Sequence, residues 1–387
     1  MTSASAPSKV YFTSFRTHAR VSTLDKLDRL CRKAGIGQID FDNKFVAIKL
    51  HLGEPGGVAY LRPNYVKVVV DLVRELGGKP FLTDCNTLYV GGRKNALDHL
   101  DSAYANGFNP FCVGCHTIIA DGLKGLDEVE VPVEGGEYVH AAKIGRAIMD
   151  ADVVISMTHF KGHEATGFGG TIKNIGMGSG SRAGKMEQHS AGKPSVSQAR
   201  CIGCRQCAKI CAHDAISFSA DPARGGKHVV ASIDHDRCVG CGRCIGVCNQ
   251  DAIAADYAAA VDVLNCKMAE YTKAVVDGRP AFHVSLVMDV SPNCDCHAEN
   301  DTPIVPDIGM FASFDPVALD QACADAVNAA PTLGDTVLSE QEEALPDDPE
   351  MADHFHMVHP DTRWESCLDH AERLGLGTRA YEIVEVR

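Results

Sequence analysis

Two cysteine runs of identical spacing carry the most explicit chemistry in this 387-residue sequence. CIGCRQCAKICAHDAI (201–216) and CVGCGRCIGVCNQDAI (238–253) both follow C-x2-C-x2-C-x3-C, and the second begins 37 residues after the first. Four thiolates on a short loop can each bind one iron of a cubic [4Fe–4S] cluster. A zinc site needs four ligands in all, so it would not require two complete runs. The doubled run therefore predicts two [4Fe–4S] clusters.

The spacing resembles that of bacterial-type two-cluster ferredoxins, in which the fourth cysteine of each run binds the other cluster. The residue after that cysteine is usually proline, whereas it is Ala212 and Asn249 here. Because this residue is not a ligand, we expect cluster binding to survive. Clusters held side by side suit electron transfer; clusters that only cross-link a small domain are the alternative. By this resemblance the ligands of one cluster are Cys201, Cys204, Cys207 and Cys248, and those of the other are Cys238, Cys241, Cys244 and Cys211.

A second chemically rich segment is THFKGHEATGFGGTIKN (158–174), which directly follows the apolar run 151–157. We interpret it as a flexible, basic loop and not as part of the core. Glycine-rich backbone lets N–H groups converge on an anion, and lysine or arginine side chains add charge. The glycines match neither a Walker motif nor a dinucleotide-binding motif. The segment therefore predicts an active or ligand site, with a basic surface that steers an acidic redox partner as the alternative.

Polar residues also follow two other predicted strands, in the stretches 49–63 and 83–99. Because loops after the carboxyl ends of strands meet in one crevice of an α/β sheet, we expect all three stretches to line one pocket. His163, Lys173 and His189 are the predicted catalytic residues, since such side chains transfer protons or bind metals. The predicted cofactor-binding residues are Lys49, His51, Arg62, Lys161, Gly169, Gly170, Asn174 and Arg182. The same loops add Glu54, Asp84, Asn86, Tyr89, Arg93, Lys94 and Lys185 as further candidates.

The scaffold predicted for these residues is an α/β domain with a largely parallel sheet, because strand and helix patterns alternate. A helix at 256–278, a strand at 281–290 and a helix at 315–330 with Asp315 as N-cap continue the pattern after the cysteines. The predicted segments are a first α/β part (1–195), an inserted two-cluster ferredoxin-like domain (196–256) and a second α/β part (257–387). In the first part the predicted strands are 9–15, 44–50, 79–84, 116–122 and 151–157, and the predicted helices are 21–35, 65–78, 95–108 and 141–151.

Charge and composition limit the partners. The net charge is −14, with 51 acidic and 37 basic residues, which disfavours nucleic acid and anionic membranes as partners. The sequence has no apolar run of membrane-spanning length and no secretory signal at its N-terminus, so we expect a cytoplasmic protein. Seventeen cysteines in a reducing compartment indicate metal or cluster chemistry and not disulfides. The expected partner is a redox protein or a small anionic substrate; the sequence does not indicate the oligomeric state.

Two further cysteine pairs remain. CVGCH (112–116) matches the attachment run of c-type haem, which normally belongs to exported proteins, and CDCH (294–297) follows a predicted strand. One hypothesis joins Cys112, Cys115, Cys294 and Cys296 in a four-thiolate metal site. The alternative is that these cysteines are ordinary thiols in a reducing compartment.

The order of these motifs resembles that of ferredoxin-fused iron–sulfur centre proteins, whose main domain has no known function. The resemblance covers nearly the whole chain and implies a cytoplasmic iron–sulfur protein of anaerobic metabolism, without naming a substrate. CVGCH is not a run associated with that family. The matching stretches are IKLHLGEPGGVAYLRPNYV, LTDCNTLYVGGRKNALDHL, HFKGHEATGFGGTIKNIGMGSGSRAGKMEQHS, the paired cysteine runs, SPNCDCH and FDPVALDQA.

A more local feature, the spacing His163-x9-Lys173-x15-His189, is similar to that of nickel-pincer lactate racemases. It implies Lys173 as the anchor of a covalent pincer cofactor, His189 as a metal ligand and His163 as a proton-transfer group. Those racemases have no fused ferredoxin, and the surrounding residues differ. The sequence thus leaves three hypotheses: an iron–sulfur oxidoreductase, a non-catalytic electron-transfer or cluster- or metal-delivery partner, and a pincer-cofactor racemase or dehydratase-like enzyme.

Overall fold

The computed structural model describes residues 6–88, 91–189, 193–221, 224, 226, 228–238, 243–255, 261–344 and 353–387. Two candidates named above, Tyr89 and Cys241, lie outside the described residues. So does the beginning of the predicted helix at 256–278.

The protein has a mixed α/β fold built on an eight-stranded sheet in the order β16-β1-β15-β14-β7-β2-β3-β4. Five of the neighbouring pairs are parallel, and only β15 runs antiparallel to both of its neighbours. The α/β prediction with a largely parallel sheet is confirmed. The described strands are β1 (Ser8–Ser14), β2 (Phe45–Lys49), β3 (Lys79–Asp84), β4 (Thr117–Ile119), β5 (Glu128–Pro132), β6 (Ala141–Gly145), β7 (Val153–His159), β8 (Lys161–His163), β9 (Gly167–Gly169), β10 (Pro194–Val196), β11 (Ile216–Ala220), β12 (Val229–Ile233), β13 (Ile253–Ala255), β14 (Ala281–Val287), β15 (Gly309–Ser313) and β16 (Tyr381–Glu385).

Helices cover both faces of this sheet. The central strand β7 is buried along its whole length, as expected for a parallel strand with helices above and below it. Val153 and Ile155 pack in a core with α1 and α2, while Val154 packs on the other face against α10. The described helices are α1 (Thr23–Ala34), α2 (Pro63–Glu75), α3 (Ala96–Ala105), α4 (Pro110–Val113), α5 (Arg146–Met149), α6 (Thr171–Ser179), α7 (Arg182–His189), α8 (Gln206–Ile210), α9 (Arg243–Gly246), α10 (Val261–Val276), α11 (Pro316–Asn328), α12 (Val337–Ala344), α13 (His354–Val358) and α14 (Glu365–Arg373), with a 3-10 turn at Ile36–Gln38.

The cysteine-rich segment stands apart from the large sheet. Its strands form two small antiparallel pairs, β10 with β13 and β11 with β12. Pro194 and Ala255, near the two ends of the segment, are directly paired. The chain therefore leaves and rejoins the α/β framework at neighbouring points, and the large sheet combines strands from before and after the segment.

Two local predictions are wrong. The stretch 141–151, predicted as a helix, begins as strand β6 paired with β5, and only Arg146–Met149 is helical. The antiparallel pairing places Ala142 and Ile144 in the core. The burial of these side chains outweighs the helix propensity of the stretch.

The predicted flexible loop at 158–174 is an ordered and almost fully buried part of the molecule. It comprises the end of β7, the hairpin of β8 and β9, and the first turn of α6. Within it only Glu164 is exposed. Its polar groups are satisfied internally, so polarity here does not indicate solvent exposure.

Over the described residues, no helix combines the length and the apolar character needed to cross a membrane.

Asp315 confirms the predicted N-cap of α11 and also joins the two ends of the chain. Its Oδ1 accepts hydrogen bonds from the N–H groups of Val317 and Ala318, both at 2.9 Å. Its Oδ2 accepts from Ser8 Oγ at 2.7 Å and from Thr378 N at 2.9 Å.

We expect Asp315→Ala to lower the free energy of unfolding by about 2–3 kcal/mol, measured by urea denaturation, because a cap and two further hydrogen bonds are lost.

Asn95→Ala is the matched control for this substitution. Asn95 caps α3 through Leu97 N and Asp98 N without bonding to a distant segment. Asn95→Ala should lower the free energy of unfolding by only about 1 kcal/mol. Equal losses in the two variants would contradict the role of Asp315 as a link between the chain ends.

Candidate functional site

The carboxyl ends of three adjacent parallel strands meet at one edge of the sheet and form a small cavity of about 50 Å³. Strand β2 ends at Lys49, β3 at Asp84 and β7 at His159, and all three residues line the cavity. Helix α6 and the loop after β14 complete the wall. The position at the carboxyl edge is the one predicted from the sequence.

Five cationic side chains line this cavity: Lys49, Arg93, Lys161, Lys173 and Lys185. Four of them have an anionic partner. Lys49 lies 3.1 Å from Asp84, Arg93 lies 2.7 Å from Glu54, and Lys161 lies 3.3 Å from Asp295. The partner of Lys173 is the sulfur of Cys294.

Lys185 differs from the other four cations of the cavity. Its Nζ donates to the carbonyl oxygens of Gly180, at 2.7 Å, and Gly178, at 3.4 Å, and it makes no salt bridge to a described carboxylate. Counted by close ion pairs alone, the lining therefore carries one more positive than negative charge, although the charge of Lys185 also lowers the pKa of the buried Asp121. Burial and the charges of Arg93 and Lys161 hold the pKa of His51 well below its usual value, so this lining side chain is neutral at pH 7. The arrangement suits a small anionic ligand.

Helix α6 fixes the position of Lys49. Asn174 Oδ1 accepts from Lys49 Nζ at 2.9 Å, and Asn174 Nδ2 donates to Met157 O and Thr158 Oγ1, both at 3.1 Å. Asn174 thus ties the ends of β2 and β7 together. A Cβ atom on Gly178 would overlap the Lys49 ammonium group, so a larger residue at this helical position would displace that group.

Lys173 and the two cysteines of CDCH form one charged cluster. Lys173 Nζ donates to Cys294 Sγ at 3.3 Å. A hydrogen bond from Cys296 and the charges of Lys173 and Lys161 lower the pKa of Cys294 to about 6 against the opposing effect of burial. The hydrogen bond to Cys294 and burial raise the pKa of Cys296 well above its usual value. At pH 7 the pair therefore shares one proton, with Cys294 as the thiolate.

Asp295 anchors the backbone between these two cysteines. Its carboxylate lies 2.9 Å from His159 Nδ1 and 3.3 Å from Lys161 Nζ. Burial alone would raise the pKa of Asp295, but His159 and Lys161 lower it to about 2. The carboxylate is therefore ionised and fixed, and the turn that presents both thiols is held to β7.

The three predicted catalytic residues occupy one neighbourhood. His163 Nδ1 accepts from Ala165 N at 3.0 Å and from Thr166 N at 3.2 Å, so a neutral ring carries its proton on Nε2. Burial and then the charge of Lys173 lower the pKa of both His163 and His189 to about 3. Both rings are neutral at pH 7. Of the three residues, Lys173 is among the described residues that line the cavity, and the two histidines are not.

The remaining cofactor-binding candidates divide into two groups. Lys49, His51, Lys161 and Asn174 line the cavity, and Gly169 lies against Lys161 and Lys173. Arg62, Gly170 and Arg182 are not among the lining residues.

Each of those three residues has another role. The exposed Arg62 pairs with Asp289 at 2.7 Å. Gly170 precedes α6, whose first N–H groups, at Thr171 and Ile172, donate to Asp320; the predicted backbone cradle for an anion thus holds an internal carboxylate. Arg182 is buried, bonds to the carbonyl oxygens of Lys94 and Lys124, and faces Gly246 of the cysteine-rich segment.

The first predicted set of cluster ligands converges. Cys201, Cys204, Cys207 and Cys248 line one small cavity of about 20 Å³, although Cys248 comes from the other run. Backbone N–H groups also donate to sulfur: Ala231 N lies 3.3 Å from Cys201 Sγ. Convergent thiols with N–H donors fit a [4Fe–4S] cluster, whose sulfurs commonly accept such bonds.

The two runs repeat their local geometry as well as their sequence. Ala215 N donates to Cys211 Sγ at 3.4 Å, and at the same offset Ala252 N donates to Cys248 Sγ at 3.3 Å. Of the second set, Cys211, Cys238 and Cys244 are described, and Cys241 is not. Helix α8, which precedes Cys211, packs on α9, which contains Cys244.

The cysteine-rich segment and the cationic cavity share a wall. Leu88 and Met186 pack in one apolar core with Cys201, Cys207 and Cys244. Their chain neighbours Thr87 and Lys185 line the cavity on the other side. Lys94 Nζ further donates to Cys248 O at 3.2 Å.

The hypothesis of a four-thiolate site is wrong. Cys115 immediately precedes β4, at the amino edge of the parallel strands, whereas Cys294 lies at the carboxyl edge. Cys112 is exposed on α4, and Cys115 is buried in the core, which also speaks against haem attachment through both sulfurs. Sequence reasoning missed that CDCH joins the lysine site, and it missed Asp295. The signal was available, because CDCH follows a strand whose carboxyl end was expected at this crevice.

The charge cluster makes a prediction about thiol reactivity. Alkylation of Cys294 by iodoacetamide, followed at the peptide level by mass spectrometry, should have a midpoint near pH 6 and fall away below it, because the thiolate is the nucleophile. Cys296→Ala should raise the midpoint pH of Cys294 alkylation most, and Lys173→Met should raise it less. Both shifts should lie between roughly one and three pH units.

Cys85 is the internal control for this experiment, since it lines the same cavity and burial raises the pKa of its thiol well above the usual value. It should remain unmodified below pH 9. A midpoint near the ordinary thiol value for Cys294 in the unmodified protein would refute the assigned charge state.

Comparison with known proteins identifies the family of this chain but says little about its chemistry. The chain is 30% identical to Thylakoid-associated protein sll1697 of Synechocystis sp. over 127 residues, which are 31% of this chain and 34% of that protein. It thus spans about a third of the length of the curated relative it matches. Two solved structures resemble it remotely, at 11% identity and TM-scores below 0.5, too low to support an argument.

The first of these structures is the lactate racemase apoprotein from Thermoanaerobacterium thermosaccharolyticum, with a TM-score of 0.34, 71% of this chain covered and 47% of that chain. The second is a protein from Thermotoga maritima, with a TM-score of 0.36 and corresponding coverages of 79% and 58%. The family model described as "Domain of unknown function (DUF362)" matches residues 46–325, well over half of the sequence. The chain belongs to the DUF362 family.

Proposed function

We propose that this protein is an iron–sulfur redox protein, in which two [4Fe–4S] clusters exchange electrons with a small anionic molecule or cofactor in the cationic cavity. The observation that carries the proposal is the shared wall between the two sites. Leu88 and Met186 touch the cysteine core, and the adjacent residues Thr87 and Lys185 line the cavity. Electrons that pass between the clusters and the cavity would cross this packed layer.

The donor set supports the choice of cluster. Four cysteines from two runs around one small cavity would bind the first cluster, and the N–H donors to their sulfurs would stabilise its negative charge. Such clusters would supply or accept single electrons. The second cluster would be held by Cys238, Cys241, Cys244 and Cys211.

The cavity supports the choice of ligand class. Four of its five cations have a close anionic partner. Lys185 makes no salt bridge to a described carboxylate, although its charge also acts on Asp121, and it is the cation we assign to the anion. Lys173 lines the cavity and carries a proton on Nζ at neutral pH, which suits a reaction that couples electrons to protons. The substrate class proposed is therefore a small carboxylate or similar anion, and the cytoplasm is the proposed location.

The test is anaerobic purification followed by reduction and a screen of small anions. We expect about eight iron atoms per chain, four for each cluster. The reduced clusters should reoxidise when a suitable acid or carbonyl compound is added, as seen from their visible absorbance. Lys185→Gln should slow this reoxidation by about tenfold or more, because it removes the excess charge that binds the anion.

Lys44→Gln is the matched control, since Lys44 is a partly exposed lysine that pairs with Asp40 on the surface. Its reoxidation rate should equal that of the unmodified protein. Clusters that no small molecule reoxidises, but that a partner protein does, would instead establish the non-catalytic electron-transfer or delivery role.

A pincer-type racemase or dehydratase is a second candidate, favoured by one observation. His163, Lys173 and His189, which carry the local resemblance, lie within electrostatic reach of one another. Attachment at Lys173 would require its ammonium group to leave Cys294 and lose a proton. Intact mass of protein from the native host decides the matter: an adduct on Lys173 supports this candidate, and an unmodified lysine removes it.

A further inference from the structure

We propose that Cys294 and Cys296 are a redox-active pair that cycles between a disulfide and a dithiol, and that this pair is the acceptor of the cluster electrons inside the cavity. The inference rests on the proposed function, because the clusters are its electron source. The inference adds a specific site at which two electrons, delivered one at a time, would together reduce one disulfide to a dithiol.

The first observation is geometric. Both cysteines line the same cavity with one residue between them in sequence, and they are near enough for Cys296 to lower the pKa of Cys294. The carboxylate of the intervening Asp295 is held by His159 and Lys161, and Cys294 N donates to Glu164 Oε2 at 3.2 Å. The turn is therefore fixed in a form that keeps the two thiols together.

The second observation is the charge beside the pair. The ammonium group of Lys173 lies 3.3 Å from Cys294 Sγ, and the charge of Lys161 also lowers the pKa of this thiol. A nearby cation stabilises a thiolate and thus the reduced form of a dithiol, as it does in thiol–disulfide oxidoreductases. Cys31 shows the contrast: it is buried in the apolar core, where desolvation raises the pKa of its thiol to about 12. Such a thiol is inert, whereas Cys294 is activated.

A metal site explains the pair less well. A thiolate site for zinc or a similar ion needs further donors. In the part of the chain that the structure describes, only Asp353, His356 and Glu365 place three suitable donor atoms within 4.8 Å of one another, and none of them lines the cavity. Beside Cys294, the position of a counter-cation is already taken by Lys173.

The reaction balances with the groups named. Two electrons, one from each reduced cluster, enter the disulfide, and each cluster is oxidised by one electron. The S–S bond breaks, one proton from solvent binds Cys296 Sγ, and Cys294 remains as a thiolate paired with Lys173. The reverse reaction would return the two electrons to the clusters.

The experiment uses the full chain with its clusters under anaerobic conditions. The protein is oxidised with diamide, desalted and mixed with two equivalents of reduced methyl viologen, a one-electron donor. Cluster absorbance should bleach and then recover, while the peptide 288–305 gains two alkylation sites as its disulfide opens. Cys294→Ser and Cys296→Ser should bleach normally and recover at least tenfold more slowly.

Cys112→Ser is the matched control, because it removes an exposed thiol on α4 that is not part of the cavity lining. It should recover like the unmodified protein. Cluster-loaded protein that stays bleached, or whose cysteines never form the internal disulfide, overturns this inference alone. Protein that binds no iron overturns the proposed function as well, and metal analysis separates the two results.

Discussion

The burial of five cationic side chains in one small cavity is the constraint on which the rest of the site depends. A buried charge is costly unless an opposite charge or several hydrogen bonds compensate it. Four pairs provide this compensation, and each joins two different segments of the chain, so the wall of the cavity and the charges inside it are interdependent. The four pairs are Lys49 with Asp84, Arg93 with Glu54, Lys161 with Asp295, and Lys173 with Cys294.

The general plan of this site could be predicted from the sequence, because it follows from rules that apply to every parallel sheet. Alternating strands and helices predict the fold class, and the carboxyl-edge rule correctly groups Lys49, His51, Lys161 and Lys173. The resemblance of the cysteine runs to those of two-cluster ferredoxins likewise implies that Cys248 would lie with three cysteines of the other run, as it does.

What the sequence could not predict are contacts between distant segments. A glycine-rich, basic stretch looks mobile when read alone, yet at 158–174 it is buried, because Asp320 and other internal partners satisfy its polar groups. Arg62 carries the right charge but pairs with Asp289 on the surface. Cys115 and Cys294 could be placed at opposite edges of the sheet only once the order and direction of the strands were known.

The pairing of Pro194 with Ala255 has an evolutionary consequence. Because the cysteine-rich segment begins and ends at adjacent points, it can be acquired or lost in a single genetic event without breaking the large sheet. An ancestor that lacked it would have needed polar residues in place of Leu88 and Met186, which now pack against its cysteines. Those two positions are therefore the ones to inspect when asking whether a relative has inherited the cysteine-rich segment, even when the rest of the scaffold has diverged.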